Sequence, residues 1–177
     1  MERVLPHDPS WAQAFEEEAD ALITALRPVE ITLHHIGSTA VPGLLAKPII
    51  DILGSVDAFD ALDGQAASLV ALGYEVMGAF GIEGRRYYRK TGKDGFRTHH
   101  LHVYVSGSNQ IPRHLAFRDY LRAFPDRAAA YAEVKAAIVS RMHSPELTYA
   151  QAKAAMVARL NAEATAWRSG LECLTSR

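Results

Sequence analysis

The stretch from His34 to Leu53 restricts this chain more than any other. A β-branched, alternating run from Glu30 to Ile36 leads into it, breaks at Gly37-Ser38, turns at Pro42-Gly43 and resumes as an apolar strand carrying one carboxylate, Asp51. That layout suits phosphate. Glycine lets the backbone approach a polyanion, and the donors of Gly37, Ser38 and Thr39 converge on phosphate oxygens where a helical turn starts. A carboxylate inside an apolar strand is costly to bury alone, so Asp51 is expected to face a metal, a basic side chain or a cleft.

The rest of the chain supplies a sheet around this stretch and helices after it. Asp8 is placed to cap a helix with Pro9 in its first turn, and Trp11, Phe15, Leu22 and Leu26 give that helix an apolar stripe. Glu16, Glu17, Glu18 and Asp20 are expected mostly in solvent, and Arg27-Pro28 ends the helix. Asp57 is predicted to cap a helix from Ala58 to Leu72, closed by Gly73. Tyr74 to Met77 reads as a short strand, and Arg85 to Lys90 with Phe96 to Val105 as a hairpin about Gly92-Lys93-Asp94-Gly95. Helices then cover 112–124, 126–142 and 148–169, broken at Pro125 and Ser144-Pro145. Strands followed by helices predict an α+β or mixed α/β fold: one unit over 1–177, sheet-rich at about 28–107 and helical at about 110–170.

Composition narrows the setting. With 49% hydrophobic and 22% charged residues the 177-residue chain is an ordinary globular one, ample for a core. Its net charge of −1 gives no global field for nucleic acid or an anionic membrane, so neither is expected as a partner and any polyanion site must be local. Cys173 stands alone, the start of the chain lacks a signal-peptide stretch, and no apolar run is long enough to span a bilayer; a cytoplasmic protein is expected.

Two further features can carry chemistry. Along Thr98-His99-His100-Leu101-His102-Val103-Tyr104, strand alternation puts His100, His102 and Tyr104 on one face and Leu101 and Val103 on the other. Two imidazoles one residue apart can ligate a metal, with Asp51 joining them if the strands are neighbours; a polar, hydrogen-bonded sheet face stays open as the other reading. The basic run Arg85, Arg86, Arg89, Lys90, Lys93 and Arg97 offers forks for phosphate, Arg86 foremost, or else keeps an exposed hairpin soluble. Lys47 lies near enough to Asp51 to line the same mouth, and His35 is a candidate core histidine. On the later helices Arg118, Lys135, Tyr149 and Lys153 can each reach inward. Dinucleotide, Walker-type, zinc-finger and nucleophile-elbow motifs are all missing.

The run His35-Ile36-Gly37-Ser38-Thr39-Ala40-Val41-Pro42-Gly43-Leu44, continued by Ala46-Lys47-Pro48-Ile49-Ile50-Asp51-Ile52, resembles the GrpB family, which is grouped with the nucleotidyltransferase superfamily. The likeness continues through Gly81 to Arg85, Thr98 to Val103, Phe117 to Leu121, Tyr131 with Lys135, and Tyr149 with Lys153. The resemblance implies a small mixed sheet flanked by helices, a Gly-Ser turn on phosphates and an aspartate pair on divalent metal. A related domain fused behind dephospho-coenzyme A kinases points toward nucleotide-like ligands. Where the superfamily has a second carboxylate two residues after the first, this chain has Leu53, and His100 or His102 falls at the third acidic position. An Asp plus histidine set favours a transition metal over Mg²⁺.

The resulting expectation is a nucleotidyltransferase-fold protein that binds a nucleotide or other phosphorylated small molecule. Asp51 and Lys47 would be catalytic, and Gly37, Ser38, Thr39, Arg86 and Lys153 would hold phosphate. Asp51, His100 and His102 would hold a divalent ion, Mg, Mn or Zn, for nucleotidyl transfer. Two alternatives stand beside it: a non-catalytic phospho-ligand module that lost the second carboxylate, and a His/Asp metal-dependent hydrolase.

Overall fold

The computed structural model describes residues 4–141 and 149–175. The expected break at Ser144-Pro145 and the Tyr149 side chain lie outside the described residues. The chain opens with helix α1 (Ser10–Ala25), whose N-cap is Pro9 and not Asp8 as expected, the helix starting one residue later; the Asp8 carboxylate still accepts the Ser10 N–H at 2.9 Å. Five strands follow: β1 (Thr32–Ile36), β2 (Ile50–Val56), β3 (Tyr74–Val76), β4 (Arg86–Thr91) and β5 (Arg97–Val105). They form one mixed sheet in the order β1-β2-β5-β4-β3, with β2 and β5 parallel and the other neighbours antiparallel. After β5 the chain is helical: α4 (Gln110–Ala123), α5 (Pro125–Arg141) and α6 (Tyr149–Thr175). The α+β class is as expected.

Between β2 and β3 the single predicted helix is two, α2 (Phe59–Asp63) and α3 (Ala66–Ala71), parted at Gly64-Gln65. Asp57 does not cap it. Its carboxylate instead accepts the Ser106 hydroxyl at 3.2 Å, tying the end of β2 to the end of β5.

Alternation on the two central strands decides which face is core. Ile50, Ile52 and Val56 of β2 and Leu101 and Val103 of β5 point to one side, where Trp11, Phe15, Leu22, Leu26, Leu62 and Leu69 cover them. The opposite side carries Asp51, Leu53, His100, His102 and Tyr104. Helix α4 covers only part of it, packing Ile111 and Leu115 on Ile36, Leu53 and Tyr104. A third cluster joins Val41 and Leu44 of the turn to Leu121, Tyr131 and Leu160 of the helices. The helices therefore seat on the chain that follows β1, and an uncovered polar strip remains between them and the sheet.

Four of the hairpin cations are paired. Arg86 pairs with Asp63, Arg89 and Arg97 with Glu75, and Lys90 with Glu18, which is turned inward and not solvated as its neighbours in sequence led one to expect. No helix among the described residues is long and apolar enough to cross a membrane.

Candidate functional site

Strand register assembles the site. Ile36 lies opposite Asp51, and Asp51 lies opposite His100, so the end of β1 and the imidazoles of β5 flank one carboxylate. Gly37 follows at φ +72° and ψ −168°, a region open to glycine alone. Its bare Cα also lies against Asp51: a Cβ there would come within 2.4 Å of Oδ2. Ser38 to Ala40 then form one 3-10 turn.

The Asp51 carboxylate is held by its neighbours. Nδ1 of His100 donates to its Oδ1 at 3.1 Å, and Nε2 of His102 faces the same oxygen at 3.8 Å, a charge-dipole contact longer than a hydrogen bond. Burial alone would raise the Asp51 pKa, but the two imidazoles outweigh it and hold the group well below the usual carboxylate range. His102 is gripped from behind by Arg85, whose guanidinium reaches Nδ1 at 3.3 Å. Tyr87 packs beside both rings.

Opposite this wall stand cations. Lys135, on α5, is 1% exposed; Nζ donates to Ser38 Oγ at 2.7 Å and to the Leu45 carbonyl, and lies over the Tyr131 ring at 4.4 Å. Burial first, and then repulsion by Lys153, push its pKa down to about 7 against a small opposing pull from Asp51. Arg113 is spread over neutral acceptors: Gln110 Oε1 at 2.8 Å, Asn161 Oδ1 at 3.2 Å and His114 Nε2 at 3.0 Å. Burial and that arginine push the His114 pKa down to about 3, so the ring is a neutral acceptor. Between the two walls lies a cleft of about 310 Å³, reached by Gly37, Ser38, Asp51, His102, Arg113 and Lys153. Asp51 is the single carboxylate on it among the described residues.

Of the residues singled out in the sequence, Gly37, Ser38, Asp51, His102 and Lys153 line one cleft, with His100 against Asp51. Three others do not join them. Arg86 sits opposite Val103, on the far face of the sheet, with its guanidinium on Asp63 at 2.7 and 2.8 Å and over the Phe59 ring. Thr39 is buried, its hydroxyl shared between His35 Nε2 at 3.0 Å and the Ile49 carbonyl at 3.3 Å. Lys47 follows Ala46, which bridges Leu5, and is not among the residues lining the cleft. His35 is the core histidine anticipated: it stacks on Phe15, and burial, the leading cause, pushes its pKa down to about 4. Of the further residues at the site, Arg113 and His114 carried no mark in the sequence, whereas Arg85 stood in the basic run and in the family likeness, and Lys135 among the helix residues able to reach inward.

Comparison with known proteins decides the family. The profile of the family described as "GrpB protein" matches residues 2–163. This chain belongs to the GrpB family. Among its relatives, UPF0157 protein YqkA of Bacillus subtilis (strain 168) is 43% identical over 138 residues, which is 78% of this chain and 40% of that protein's length. The GrpB chain here thus spans less than half of that relative. A crystal structure of the conserved protein GrpB from Enterococcus faecalis superposes with a TM-score of 0.83 at 41% identity, over 92% of this chain and 96% of that one. The Cid1 poly(U) polymerase, in a MgGTP-bound structure, matches at a TM-score of 0.60 and 13% identity over 86% of this chain and 50% of its own. At that identity the likeness is one of fold, and it places the GrpB chain among nucleotidyltransferase-like folds.

The divalent ion that such folds use has a place to be tested. One donor atom each from Asp51, His100 and His102 lie within 4.8 Å of one another, compact enough for a single ion. Their hydrogen bonding is less accommodating. His100, donating from Nδ1 to Asp51, keeps Nε2 open, but Arg85 occupies the second nitrogen of His102 as a donor and leaves its hydrogen on the nitrogen facing Asp51. Leu53, fully buried beneath α4, supplies nothing where a second carboxylate would be needed. As it stands the trio is a hydrogen-bonded set whose His102, held by Arg85, does not fit a resident ion.

Proposed function

We propose that this protein binds a phosphorylated small molecule, a nucleotide first among them, with its anionic group in the cleft between the Gly37-Ser38 turn and helices α4 to α6. One observation carries the reading. Lys135 is buried behind Ser38 and Arg113 is half-buried on the cleft, yet among the described residues neither has a carboxylate within ion-pair distance. A buried ammonium resting on a hydroxyl and a carbonyl is poorly compensated, and an arriving phosphate supplies the missing charge. Ser38, whose oxygen already accepts from Lys135, keeps its own O–H to donate to a phosphate oxygen. Lys153 lines the opposite rim and adds a further positive charge.

Nucleotidyl transfer through two metal ions asks for more oxygen ligands than Asp51 alone provides, so binding without that chemistry is the reading favoured here. Isothermal titration with inorganic pyrophosphate and with ATP tests it. Each charge-assisted contact to phosphate is worth roughly 1.5–3 kcal/mol. Lys135→Met and Lys153→Ala are therefore each expected to weaken binding by about 10- to 100-fold. Absence of heat with both ligands, or affinities unchanged by Lys135→Met, would refute the proposal.

A further inference from the structure

We infer that the cleft takes its ligand as the free anion and not as a divalent-metal complex, and that Arg85 is the positioning residue responsible; this rests on the phosphate reading above. Arg85 is buried, at 6% exposure, in the mouth of a tight loop. Its Nε and Nη2 donate to the Ala79 carbonyl at 3.2 and 3.1 Å, and Nη2 also to Phe80 O at 2.9 Å. The loop reaches this shape through positive φ at Gly78, Phe80, Gly81 and Gly84, so its carbonyls turn onto the guanidinium. The remaining arm, Nη1, ends on His102 Nδ1 at 3.3 Å.

Arginine has only donors and keeps its charge at every accessible pH. His102 Nδ1 must then hold a lone pair, and the ring proton sits on Nε2, the atom turned toward Asp51. A nitrogen that carries hydrogen has no lone pair for a metal. Histidines that do ligate metals show the reverse arrangement, donating their far N–H to a carboxylate or carbonyl. For His102 to ligate, its Nδ1–H would have to face a guanidinium. Charge argues the same way: Arg113 and Lys153 line the cleft that holds one carboxylate, with Arg85 behind His102 and Lys135 behind Ser38, a field that repels a divalent cation and draws an anion. Arg113 repeats the arrangement on His114 Nε2, where burial and the arginine keep the ring a neutral acceptor.

Titration of the wild-type protein with ATP and with pyrophosphate, once in EDTA and once in excess magnesium chloride, reads the first half. Binding is expected in EDTA and is expected to weaken by roughly threefold or more with magnesium, which neutralises the charge the cleft attracts. Binding that requires magnesium overturns the inference while leaving the phosphate reading intact; binding in neither medium overturns both. Zinc titration against a chromophoric chelator reads the second half. Wild type and His102→Ala are expected to bind zinc equally weakly. Arg85→Gln, whose side-chain carbonyl can accept Nδ1–H, is expected to gain a site at least roughly tenfold tighter, lost again in Arg85→Gln/His102→Ala. Circular dichroism establishes that the variant folds; if it does not, the comparison of wild type with His102→Ala decides. A wild-type protein that holds one zinc through His102, or a folded Arg85→Gln protein that gains none, contradicts the role given to Arg85.

Discussion

Gly37→Ala is expected to destabilise the protein by roughly 2–6 kcal/mol, the sum of a backbone penalty and a steric one. The φ of +72° with ψ −168° lies where a side chain costs about 1–3 kcal/mol. The new Cβ would also stand 2.4 Å from Asp51 Oδ2 and 2.9 Å from its Cβ, so strand β2 or the carboxylate must give way. For a chain of this length the melting temperature should fall by about 5–20 °C. Asp51→Gly in the same background removes the overlapping atoms and leaves the dihedral strain untouched. A double-mutant cycle in urea should then show a coupling of about 1–3 kcal/mol. A Gly37→Ala protein as stable as wild type would mean that β1 and β2 do not meet in this way, and the site would lose its floor.

Lys135→Met is expected to change stability and binding in opposite directions. The buried amine titrates at about 7, whereas in the unfolded chain a lysine titrates near 10.4. Between those two values the unfolded chain holds a proton that the folded chain has released, so stability rises with pH across the window and is lowest below it. The span is on the order of 4 kcal/mol. Methionine removes the slope, and near pH 7 it should stabilise the ligand-free protein by about 1–3 kcal/mol, since the Leu45 carbonyl and Ser38 hydroxyl lose a donor and reclaim part of the gain. Chemical denaturation of both proteins from pH 6 to pH 10 measures this. Binding of an anion restores the charge, so at pH 8 about one proton should be taken up with pyrophosphate, and affinity should decline as pH rises further. Titrations in buffers of different ionisation enthalpy count that proton. Wild-type stability that does not rise between pH 7 and 10 relative to Lys135→Met, or binding without proton uptake, would show that the amine is charged throughout.

The pattern of strands and the Gly37-Ser38 break were legible because they are local: alternation, a β-branched run and turn residues mark them without reference to the rest of the chain. Asp51 beside His100 was within reach for the same reason, since both lie at alternation-defined positions and only their neighbourhood had to be guessed. The cationic wall was legible only in part: Lys153 was named, Lys135 stood as one of several helix residues able to reach inward, and Arg113 carried no mark. Ser38 and Lys135 stand 97 positions apart, and a lysine on an alanine-rich helix carries no local mark of whether it points at solvent or at a serine. Arg85 and Arg86 show how fine the margin is. Adjacent residues entering a strand face opposite ways, so the favoured arginine went to Asp63 while its neighbour went to His102. Thr39 failed by rotation within a single 3-10 turn, which aims Ser38 at the cleft and drives the next hydroxyl under His35. Lys47 lies off the cleft beside Ala46, which bridges Leu5 some forty residues away in sequence.

The most direct test of an anion-binding cleft is a crystal soaked in tungstate, a heavy analogue of phosphate whose anomalous signal locates it without prior assumption. A peak is expected bounded by Ser38, Arg113 and Lys153, with Lys135 behind Ser38, weakened or lost in Lys135→Met crystals. Tungstate bound elsewhere on the protein with this cleft left to solvent would contradict it.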